Sequence, residues 1–188
     1  MLEKIVEATT KTIVAAVVGV DDVLTAIRNT VKNQVTGTLK DVGDISTSGM
    51  DSVTAIVSGG VRSAGQIGES ITEVTTNTVR GAIKGVYEVG GDITLAVKNA
   101  ARGSIKGASD IGADLGKTAI GTVRGVIKAA GDVGQDTTSV ARVAVVEVVK
   151  AADEIGDEAG RTVREALLST AALPRDTVEA AIKGTKKK

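Results

Sequence analysis

Apolar residues recur along the chain at steps of three and four. From Val79 they fall at Ile83, Val86, Val89, Ile93 and Val97, and the same spacing resumes at Ala101, Ile105, Ala108, Ile111, Leu115 and Ala119. A half-buried strand needs steps of two, so this spacing predicts an amphipathic α-helix. The pattern itself repeats every 22 residues: Val35, Val57, Val79, Ala101, Val123 and Val145 align, and one apolar column runs unbroken through Val23, Ile45, Ile67, Val89, Ile111, Val133 and Ile155. Polar positions keep the same period. Opposite the stripe stands an ordered row of charges, Arg80, Lys84, Glu88, Asp92, then Arg102, Lys106, Asp110, Asp114, then Arg124, Lys128, Asp132, Asp136. Pairs such as Lys84 and Glu88 lie four apart, where oppositely charged side chains on a helix meet.

Six helical turns in 22 residues is about 3.67 residues per turn, the eleven-residue pattern that holds one stripe on one side of a nearly straight helix. The fold class expected is therefore all-α, with a long amphipathic helix or helices built on the 22-residue repeat. Uninterrupted, such a helix would measure roughly 280 Å. Two alternatives stand beside it. Val, Ile and Thr favour strands and glycine weakens helices, which would suit a β-solenoid with 22-residue coils. Each Gly-x-Asp, as at Gly112 and Asp114, also reads as a helix stop followed by an N-cap, giving short antiparallel helices. Because the stripe crosses every such point in phase, the continuous helix is preferred. Bends are expected at residues 46–52 (STSGMDS) and at 173–174, where Pro174 starts a last short helix over Val178 to Lys183. The helical repeat region thus spans 1–173, and 174–188 holds the short helix and the basic tail Lys186, Lys187, Lys188.

The 23 glycines change the picture. In a helix interior each costs about 1 kcal/mol relative to alanine, so the chain should be poorly helical alone and something external must supply the order. Many stand four apart, in pairs that let helix backbones approach closely: Gly81 and Gly85, Gly103 and Gly107, Gly112 and Gly116, Gly121 and Gly125. These eight are the expected close-packing residues, and they border the stripe formed by Val79, Ile83, Val86, Val89, Ile93, Ile105, Ile111, Leu115, Val123, Ile127 and Val133.

Segments such as TVRGAIKGVYEVG and TVRGVIKAAGDVG resemble the eleven-residue repeats of synucleins and, more loosely, those of exchangeable apolipoproteins, perilipins and late-embryogenesis-abundant proteins. The resemblance covers roughly Ile13 to Gly160 and rests on period and residue type. It implies a chain that is disordered when free and becomes helical on a lipid surface, stripe down. The chain departs from that class in having no acidic tail and a balanced charge, with 23 basic and 23 acidic residues.

Composition narrows function further. Tyr87 is the single aromatic residue, so burial falls to small aliphatic side chains over a long surface. Cysteine and histidine are absent, which removes disulfides, thiolate nucleophiles, histidine bases and the usual zinc sites. Gly112 to Thr118 approximates a phosphate-binding loop but is one residue short between its glycines. Asp153, Glu154, Asp157 and Glu158 form the densest carboxylate cluster, which reads as a solvated face rather than a calcium site. No catalytic, cofactor-binding or metal residue is assigned, and neither nucleic acid nor a small-molecule substrate is expected. The uncharged stretch Thr12 to Val20 lacks the flanks of a signal peptide and the length of a membrane span, so a cytoplasmic protein is expected, with peripheral membrane association open to it. The function expected is a non-catalytic structural protein that self-associates through its glycine-bordered stripe into a helical bundle or filament. The alternative is a coat for a lipid surface, and the partners are accordingly copies of the chain itself or lipid.

Overall fold

A computed structural model describes the chain except Asp44, Lys187 and Lys188, with the side chains of Thr47 and Ser48 also left aside. Its described residues form helices and no strand, so the fold is all-α and the β-solenoid is excluded. The helices are α1 (Leu2–Ala16), α2 (Val23–Val42), α3 (Thr47–Arg62), the single turn α4 (Ala64–Ile67), α5 (Ile71–Glu88), α6 (Ile93–Asp110), α7 (Leu115–Val133), α8 (Thr137–Ile155), α9 (Asp157–Ser169) and α10 (Arg175–Thr185).

The continuous helix is corrected by these boundaries. From α5 to α8 each 22-residue period holds one helix and one turn, and the break before each of these helices falls at the glycine of Gly-x-Asp or Gly-x-Ser. Gly68, Gly90, Gly112 and Gly134 take φ of +73°, +75°, +66° and +72°, a left-handed conformation that costs other residues strain. The amide that follows this glycine then bonds back to the last turn of the helix: Gly91 N donates to Val86 O at 3.0 Å, Ala113 N to Ala108 O and Gln135 N to Ala130 O at 2.9 Å. The next residue caps the following helix. Ser70, Asp92, Asp114 and Asp136 accept from the amides of Glu73, Leu95, Lys117 and Ser139. Stop and start signals placed two residues apart satisfy the backbone groups that the break exposes, and that outweighs the in-phase stripe.

The helices lie in two layers. In one, α3 packs on α1, α6 on α3, α8 on α6 and α10 on α8; in the other, α5 packs on α2, α7 on α5 and α9 on α7. Neighbours within a layer run parallel, because Gly103 meets Thr54 and, four residues on, Gly107 meets Ser58. The intervening helix, joined by short turns at both ends, must run back in the other layer. Between the layers lies one aliphatic core that includes Ile13, Ile27, Leu39, Ile56, Ile83, Ile105 and Leu167.

The first reversal falls ahead of the bend expected at 46–52, whose residues 47–52 open α3, whereas the break expected at 173–174 does separate α9 from α10. Helix α2 ends at Val42 and α3 begins at Thr47, while Pro174 is the N-cap of α10, which starts at Arg175, earlier than the expected Val178. Val178, Ala181 and Ile182 of α10 join the common core. Lys186 caps that helix, and the last two lysines of the expected basic tail lie outside the described residues.

Candidate functional site

The expected interface residues are brought together inside one chain. Val79, Ile83, Val86, Ile105 and Val123 are buried in the core, and Val89, Ile93, Leu115 and Ile127 are partly buried against it. Val133 is half-buried at the end of α7, and Ile111 is exposed at the end of α6. From Ile67 onward, the unbroken column to which these two belong supplies the residue that closes each helix, not the centre of the core. Ile45 and Ile155 in the same column are exposed too.

Seven of the eight selected glycines sit where another helix touches the backbone. A methyl group at Gly103 would lie 2.5 Å from the Thr54 carbonyl oxygen, at Gly107 2.6 Å from that of Ser58, at Gly121 2.6 Å from that of Thr72, and at Gly125 2.6 Å from that of Thr76. These four contacts join residues 49 apart, so α6 rides on α3 as α7 rides on α5. Gly81 and Gly85 approach the carbonyls of Arg28 and Lys32, and Gly116 faces Ala166. Gly112 does not belong with them. It faces open space, and its role is the left-handed turn.

Threonine and asparagine fasten the same edges, a role the sequence pattern did not single out. Thr10 and Thr76 share their hydroxyl hydrogens between the carbonyl four residues back and the facing glycine, Gly59 at 3.0 Å and Gly121 at 3.2 Å. Thr54 donates to Asn99 Oδ1 at 2.9 Å, and Arg28 to the Oδ1 of Asn77 at 3.4 Å. Asn77 and Asn99 are 22 apart, so the period was the available signal.

The charged row pairs mostly across helices. Arg80 donates two hydrogen bonds to Asp132, at 2.6 and 2.9 Å, and those bonds hold the Asp132 carboxyl below the usual carboxylate range while raising the guanidinium's own pKa. Arg124 reaches Glu73 at 2.9 Å, and Lys32 reaches Glu88 at 2.9 Å. Lys84 therefore does not pair with Glu88; it lies 3.8 Å from Asp132. The i,i+4 pairing does occur at Lys106 and Asp110.

The segment resembling a phosphate loop is a capped helix start, with Lys117 N donating to Asp114 Oδ1 at 2.9 Å. In the acidic cluster Asp153 is held by both terminal nitrogens of Arg164, and no group of three metal-ligating side chains occurs among the described residues. No helix among them is long and apolar enough to cross a membrane. The chain matches no protein-family model and no curated protein sequence.

Proposed function

We propose that this is a non-catalytic structural protein, a stack of helical repeats that self-associates by the kind of glycine-edged contact it uses internally. The observation that carries this reading is Gly37. It belongs to the column of Gly59, Gly81, Gly103 and Gly125, each of which has a facing helix, yet a methyl group at Gly37 would meet nothing within 4 Å. Helix α2 begins its layer, so its glycine edge is the one left without a neighbour, and a helix of a second copy is the natural occupant. Self-association through the buried stripe itself would require the layers to separate, so the edge is the route this geometry favours.

A lipid-surface reading draws on a different observation. The turns at one end of the stack expose Val18, Val20, Ile111 and Ile155, an apolar rim produced by helix ends that recur every second repeat. Sedimentation velocity across protein concentration, with and without neutral and anionic vesicles, separates the two. Edge association gives a mass that rises with concentration in buffer and is lost in Gly37→Leu. A protein that stays monomeric in buffer at every concentration contradicts it, and co-sedimentation with vesicles alone moves the assignment to lipid.

A further inference from the structure

The grooves within the layers are related by the 22-residue period, and the groove between α3 and α6 lacks the closure found between α5 and α7. Between α5 and α7 two ion pairs close the groove, Arg80 with Asp132 and Arg124 with Glu73. Subtracting one period gives the corresponding residues between α3 and α6: position 58 with Asp110, and Arg102 with Asp51. Neither closure forms. Position 58 is serine where positions 80, 102 and 124 are arginine, and Asp110 is engaged by Lys106 at 2.9 Å and Arg62 at 3.9 Å. Arg102 and Asp51 make no ion pair with each other or with any other described residue.

A cavity of about 270 Å³ lies beside Ser58, lined by residues of α1, α3 and α6. Its lining includes Leu2, Val6, Ala55 and fully buried Ser58, and of its four charged residues Glu3 is paired with Arg62 and Lys106 with Asp110, which leaves Asp51 and Arg102. The Ser58 hydroxyl has no hydrogen-bond partner. The volume equals roughly nine water molecules' share of the liquid, yet mainly aliphatic walls hold water poorly. An unpaired acid and an unpaired base in the lining of an aliphatic pocket fit one chemical class better than a simple anion or a neutral apolar molecule.

The geometry points to a binding site for a small aliphatic zwitterion, such as a free branched-chain amino acid. The carboxylate pairs with Arg102, the ammonium with Asp51, and the side chain fills the space between Leu2, Val6 and Ala55. Each charged contact forms beside aliphatic walls that exclude water once the pocket is filled, where a hydrogen bond to an ionised group is strong enough to govern selectivity.

Calorimetric titration of the full chain with L-leucine tests this, beside 4-methylpentanoate, which lacks the ammonium, and isopentylamine, which lacks the carboxylate. Saturable leucine binding is expected, with each single-charge analogue weaker by about tenfold or more. Ser58→Arg restores the arginine of the other repeats, fills the cavity and abolishes binding. Arg102→Gln, at an exposed position that should leave folding intact, weakens leucine by about tenfold while leaving isopentylamine unchanged. No saturable leucine binding at millimolar ligand overturns the assignment. So does equal affinity for 4-methylpentanoate, or undiminished leucine binding in either variant. Monomer mass in the sedimentation experiment bears only on self-association, so the two proposals fail separately.

Discussion

Replacing glycine by alanine should change stability in opposite directions at two places in this protein. Alanine gains about 1 kcal/mol of helix propensity over glycine wherever space allows. Gly131, inside α7 with nothing within 4 Å of where a methyl group would stand, should deliver that gain. At Gly103 and Gly107 the same methyl would lie 2.5 and 2.6 Å from the carbonyl oxygens of Thr54 and Ser58. Ordinary contact lies roughly 1 Å further out, and backbone atoms cannot rotate aside as a side chain can. Helix α6 must then back away from α3, at the cost of overpacking, about 1–3 kcal/mol per site. Offset by the propensity gained, Gly103→Ala with Gly107→Ala should lose about 2 kcal/mol net, lowering the melting temperature by roughly 4–8 °C. Gly131→Ala should raise it by about 2–4 °C. Thermal and urea titrations followed by far-ultraviolet circular dichroism read both. If the double variant is stabilised as much as Gly131→Ala, the close approach of α6 to α3 is wrong.

The turns offer a second test: Gly112→Ala forces a methyl-bearing residue to adopt φ near +66° and should cost about 1–2 kcal/mol although no neighbour is touched. Asp114→Ala, which removes the α7 cap, should cost about 1 kcal/mol in the same titration, whereas in a continuous helix both changes would stabilise. The third prediction concerns pH. Because the Arg80 hydrogen bonds lower the folded-state pKa of Asp132, its contribution is present above the ordinary aspartate value and is lost as pH falls through the lowered one. Asp132→Asn should therefore be less stable than the parent at neutral pH, with the gap closing below about pH 4; a gap independent of pH would refute the pairing.

How far the sequence revealed this molecule can be judged from three sets of residues. The steps of three and four announced helix, and the glycine pairs at Gly103 and Gly107 or Gly121 and Gly125 announced close approach, because both depend on side-chain size and spacing alone. The turns were written in the sequence as well, in Gly112 and Asp114, but the stripe passing through them in phase argued for continuity. That inference failed because units stacked on one another must have equal length whatever the turn geometry, so a period of 22 carries no guarantee of an unbroken helix. The ion pairs were the least legible. Lys84 has Glu88 four residues away, yet the fold brings Asp132 to it from 48 residues along the chain and gives Glu88 to Lys32. Such choices are made by helix-on-helix packing, which no local spacing records.

Small-angle X-ray scattering from the dilute chain tests most directly whether each period is a helix that folds back. A compact two-layer stack of 188 residues should have a radius of gyration of about 16 Å. One uninterrupted helix of the same length is a rod of roughly 280 Å with a radius of gyration of about 80 Å, and a value approaching that figure would contradict the layered fold.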